Sequence, residues 1–142
     1  MIFNFQFSLA STCQTEERHW LVGKWKFIGF IYRDEFKLPL TPNLLLTFQF
    51  KLNGTSRSYW ERTGEPGFCE RTGTYSIHNN QLFDEVTWVN PANDISCGQD
   101  PDMQLGKKSI NPISIVESNF HLDVGLAGEP FVYVFERLPS ED

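Results

Sequence analysis

Residues 44–64, LLLTFQFKLNGTSRSYWERTG, decide the fold class. Leu44, Leu46, Phe48, Phe50 and Leu52 recur at every second position, with Thr47, Gln49 and Lys51 between them. A period of two belongs to a half-buried strand, because successive side chains leave a pleated backbone on opposite faces. Asn53-Gly54 then supplies the positive-φ pair of a tight type I′ hairpin. Asn53-Gly54-Thr55 also matches a glycosylation sequon, but the hairpin accounts for it. The stretch predicts two antiparallel strands.

The same grammar extends in both directions. Upstream, LVGKWKFIGFIYRDEF (21–36) is rich in strand formers and ends in the proline-bearing KLPLTPN. Downstream, GEPG (64–67) turns the chain into FCERTGTYSI, with Cys69, Arg71, Gly73, Tyr75 and Ile77 on one face. HNNQ closes that strand into LFDEVTWVN, and residues 90–108 form the one long irregular segment. SINPISIVE and FHLDVGLAG, hinged at Ser118-Asn119, precede EPFVYVFERL and a polar tail. Eight or nine short strands with no crossover helix imply an antiparallel meander, either a closed barrel or a sandwich.

Composition narrows the functional classes. The 142 residues suffice for one domain with its own core. Thirteen Phe and four Trp are spread along the chain, as strands prefer. A net charge of −6 argues against a nucleic-acid partner, which needs a basic patch. No run approaches the roughly 20 apolar residues of a membrane helix.

The opening MIFNFQFSLASTCQ fits two readings. Phe3, Phe5, Phe7 and Leu9 alternate with polar residues like a half-buried strand. The apolar stretch ending in Ala10, Ser11, Thr12 and Cys13 also resembles the tail of a bacterial lipoprotein signal, though without a basic start. Residues 1–19 are thus an N-terminal arm or signal remnant, 20–138 the barrel domain and 139–142 a tail. A lipid anchor at Cys13 belongs to the second reading.

Gly23-Lys24-Trp25, after a predicted helical turn, and Arg137 at the end of the last strand together resemble lipocalin-like (calycin) proteins. In these a G-x-W tryptophan on the first strand packs beneath the barrel against an arginine from the last strand. The resemblance implies an all-β, antiparallel, up-and-down barrel of eight to nine strands, with Trp25 as stopper and Arg137 stacked on it. Absent the resemblance, Trp25 is simply a core tryptophan. Cys69, Gly73, Tyr75, Cys97 and Met103 also follow the order seen in META-domain proteins, and the outline is similar to bacterial metalloprotease inhibitors. These resemblances imply an extracytoplasmic (periplasmic or envelope) protein that acts by binding.

Of the three cysteines, Cys69 and Cys97 are then the natural disulfide pair, a closure worth roughly 3–4 kcal/mol in the chain-entropy model. Cys13 is left over, lipidated or free. His19, His78 and His121 have no nucleophile at a recognised spacing, and neither a zinc site nor another cofactor is expected. Asp100 and Asp102 would need further oxygen donors to hold calcium and otherwise read as a solvated turn. Catalysis is not expected.

A ligand site would be built from inward-facing aromatics: Trp60, Tyr75, Trp88, Phe120, Phe131 and Tyr133, joined by Leu122 and Phe135. Arg71 and Glu85 are candidates for its polar end. The same bulk could instead fill the barrel solid. The expected function is binding a small hydrophobic ligand in the barrel. The alternative is a protein-interaction or protease-inhibitor-like module acting through its surface or arm, with a partner the sequence does not name.

Overall fold

The computed structural model describes residues 20–140, so the expectations for the 1–19 arm and for Cys13 lie outside the described residues. The strands are β1 (Gly23–Tyr32), β2 (Glu35–Lys37), β3 (Leu44–Phe50), β4 (Thr55–Arg62) and β5 (Cys69–His78). They continue with β6 (Gln81–Val89), β7 (Lys108–Val116), β8 (Asn119–Asp123) and β9 (Phe131–Arg137). Neighbours pair antiparallel in chain order from β3 to β9, β1 joins β3, and a β1–β9 pairing closes an eight-stranded barrel. The short β2 pairs with Phe30–Tyr32 at the upper end of β1 and lies outside the barrel closure. Closure leaves no long free edge among the described strands, which protects an antiparallel sheet from pairing with other chains.

The hairpins use two kinds of turn. Arg33-Asp34, Asn79-Asn80 and Glu117-Ser118 all carry positive φ at both residues, as two-residue type I′ loops demand. Asn53-Gly54 does not: only Gly54 is left-handed (φ 88°), and Lys51 N–H donates to the Thr55 carbonyl across a three-residue loop. The hairpin predicted there is real, but its turn is the three-residue type with glycine at the bulge. Leu52 consequently leaves the buried face and is exposed.

The lower end is packed solid. Trp25 is fully buried, its indole N–H donating to the Leu21 carbonyl at 2.9 Å. Phe120 lies 5.6 Å from it, and Phe50, Tyr75 and Phe135 ring Phe120 or one another at 5.0–5.7 Å between centroids. Offset and edge-on pairs at such distances add to the burial of large apolar area. The Arg137 guanidinium carbon sits 4.2 Å from the Trp25 ring centroid, and its nitrogens donate to the carbonyls of Val22 (2.7 Å) and Trp20. Gly23 makes the approach possible: at φ 139°, a Cβ there would meet an Arg137 nitrogen at 2.5 Å. Trp25 thus stops the lower end of the barrel, with Arg137 stacked on it.

Candidate functional site

The upper half of the barrel is hollow. A cavity of about 560 Å³ opens there, bounded below by Phe48 and Phe135. Leu44 and Leu46 of β3, Leu82 of β6, Leu122 of β8 and Tyr133 of β9 make its apolar wall. Each reaches it by the alternation of its own strand. The solid and hollow alternatives therefore divide the barrel between them, because the largest side chains cluster around Trp25.

Segment 90–107 folds across the mouth. It holds two 3₁₀ turns, Ile95–Gln99 and Pro101–Met103, capped by the side chains of Asp94 and Asp100. Met103 is buried against the Cys69–Cys97 disulfide and Trp60. The Trp60 indole N–H donates to Asp100 at 3.1 Å. Glu70 secures the start of the segment, exchanging backbone and side-chain hydrogen bonds with Asn90 and Asn93. Opening the disulfide with a Cys69→Ser, Cys97→Ser double substitution is expected to cost about 3–4 kcal/mol in urea unfolding under non-reducing conditions, the worth of closing a loop of this length.

Burial alone would raise the Glu70 carboxyl, but hydrogen bonds from Asn90 and Arg57 outweigh it and hold the group below its ordinary 4.5. A depressed carboxylate contributes stability above its unfolded value and loses it as pH falls through the folded one. Stability should therefore drop as pH is lowered below about 4.5, and Glu70→Gln should flatten that part of the urea-midpoint curve.

Polar groups lie on one side of the cavity. Arg71 and Asp84, both almost fully buried, pair at 2.8 Å. The Ser56 hydroxyl donates to Asp84 at 2.5 Å and accepts from Arg71 at 3.2 Å. Ser58, Ser109 and Asn111 also line the space. At the mouth stand Asp100 and Asp102 of the capping segment, with Arg62 and Lys107. Desolvation, reinforced by the charge of Asp100 and only partly countered by Arg71 and Lys107, raises the Asp102 carboxyl above its ordinary range. Desolvation likewise raises the Tyr133 phenol, helped by the charges of Asp102 and Asp100.

Of the six aromatics proposed for a ligand, Trp60 and Tyr133 border the cavity. Tyr75 and Phe120 are packed in the solid lower half instead. Phe131 lies on Phe30 and Tyr32 at the rim. Trp88 does not face inward: it is 43% exposed. The register explains it, since Thr72 pairs with Trp88 but Gly73 with Val86, leaving Thr87 as an extra residue. A bulge reverses the facing of the residues beyond it, so Trp88 turns out and Val89 takes its place. Gly73 sits opposite the bulge, where a Cβ would lie 2.1 Å from the Glu85 carbonyl. Glu85 also points away, and Asp84 is the acid that turns in. Sequence reading missed Asp84 because two adjacent acids in LFDEV leave the phase open.

Among the described residues, no three His, Cys, Asp or Glu side chains gather to hold a metal ion. No described helix is long and apolar enough to cross a membrane. No family model matches the sequence, and no curated protein matches it. Solved structures do match. A lipocalin-like protein from Bacteroides uniformis superposes with a TM-score of 0.57 at 17% identity, over 84% of this chain and 99% of its own. An uncharacterized protein from Bacteroides eggerthii gives 0.52 at 14% identity, over 83% and 99%. The fold is lipocalin-like. The interior of a barrel of this size can be filled by side chains or left open, and this one is packed around Trp25 and hollow above it.

Proposed function

We propose that this lipocalin-like barrel is a non-enzymatic binding protein that takes one small, largely apolar ligand into its upper half. The observation that carries the reading is the cavity itself. Its volume of about 560 Å³ falls within the range of small-molecule sites, and it joins an apolar wall to a few convergent polar groups. Trp60 and Tyr133 are the aromatics of the proposed site, with Leu44, Leu46 and Leu122 completing its wall. The Cys69–Cys97 disulfide supports an extracytoplasmic setting, where such bonds persist.

The test is binding of the neutral dye N-phenyl-1-naphthylamine, followed by its fluorescence. Wild-type protein should bind one dye per chain. Leu46→Trp, which fills the cavity from its wall, should weaken binding at least tenfold while leaving the circular dichroism unchanged. Equal binding by both proteins, or none by either, would refute the reading.

A further inference from the structure

We infer that the cavity prefers amphiphiles with an uncharged polar end and discriminates against carboxylates. This rests on the binding reading above and adds the chemistry of the ligand's head. An arginine inside an apolar barrel suggests at first an anion receptor. Here its charge is already committed. Arg71 is held at 2.8 Å by Asp84, and the Ser56 hydroxyl bridges the two, so the trio is neutral as it stands. The remaining charges do not help an anion. Arg62, Arg71 and Lys107 line the cavity against Asp84, Asp100 and Asp102, which leaves no surplus positive charge.

The cations are also poorly placed to serve an incoming carboxylate. The Arg62 guanidinium stacks on Trp60, 4.9 Å from its ring centroid, and two of the three acids stand together on the segment that covers the mouth. A carboxylate entering this space would lose its water and approach like charges, both of which disfavour the ionised form. A carbonyl, ester or hydroxyl meets neither objection. Ser58, Ser109 and Asn111 offer it neutral partners. Arg71 Nε is in addition a buried donor without an acceptor among the described residues, and a neutral acceptor would suit it.

Displacement of N-phenyl-1-naphthylamine by 1-decanol, methyl decanoate and decanoate at pH 8 tests the inference. Decanol and the ester should displace the dye at concentrations at least tenfold lower than decanoate. Because a carboxylate is intrinsically the more water-loving probe, the same series is run on Asp102→Asn, a residue that joins the capping turn through its backbone N–H and keeps that bond in the variant. Removing that charge should narrow the gap threefold or more. A wild-type gap below tenfold, or one that Asp102→Asn leaves unchanged, overturns the inference. So does a bound dye that none of the three displaces, although the cavity reading then survives. A dye that never binds removes the cavity reading, and this inference with it.

Discussion

Trp25→Ala is expected to be the most damaging single substitution in the barrel, lowering unfolding free energy by about 3–5 kcal/mol. The indole is fully buried, so the change removes a large apolar surface and leaves a cavity that the surrounding rings cannot close. It also strips the Leu21 carbonyl of its donor and the Arg137 guanidinium of the ring beneath it. Phe120 and Phe50 belong to β8 and β3, while Arg137 belongs to β9, so the loss is felt across the seam where the barrel closes. Urea denaturation followed by circular dichroism measures it. Arg137→Ala should cost less, since the side chain is exposed and the change removes only its stacking on Trp25 and two carbonyl contacts. A Trp25→Ala protein that unfolds at the wild-type urea concentration would show that the stopper is not what holds the lower end.

The second large effect is expected at Asp84. Removing one member of a buried ion pair strands the other charge, and such changes cost about 3–5 kcal/mol. Asp84→Ala would leave Arg71 buried with the Ser56 hydroxyl and the Phe48 ring as its partners among the described residues, both neutral against a full charge. The pair as a whole is a different matter. Its Coulomb attraction is largely offset by the desolvation of both ions, so an apolar pair of similar volume can replace it. Arg71→Met combined with Asp84→Leu should therefore recover most of the stability that Asp84→Ala loses, and a double-mutant cycle in urea reads the coupling directly. A double variant as unstable as the single would mean that the pair itself stabilises the fold. Recovery would point to retention of the pair for the chemistry of the cavity.

The barrel was legible in the sequence because its cause is local. Alternation in β3, β5 and β9 and the spacing of turns dictate short antiparallel strands, and Gly23-Lys24-Trp25 with Arg137 marks where the ends meet. The turns were less legible in detail. Arg33-Asp34 and Glu117-Ser118 adopt positive φ without a glycine, which side-chain identity does not announce, whereas the glycine at position 54 serves a three-residue loop instead of a two-residue one. The site was legible only in part. Trp60 and Tyr133, two of the aromatics expected to face inward, border the cavity. Trp88 failed because one extra residue at Thr87 reverses the phase, and nothing in FDEVTWV marks the bulge except the demand for Gly73 on the opposite strand. The hollow itself was hidden for a different reason. Thirteen phenylalanines give a total volume, but whether they fill the barrel depends on which end each one occupies, and that is a property of register across many strands.

The central claim is that the upper half of this barrel holds one small molecule. Native mass spectrometry of protein purified from its own host, without detergent, tests it most directly. The account predicts one non-covalent adduct of a few hundred daltons per chain, lost on denaturation and lost in Leu46→Trp. A ligand-free mass for wild type, together with no uptake of decanol or of the naphthylamine dye at saturating concentration, would contradict it.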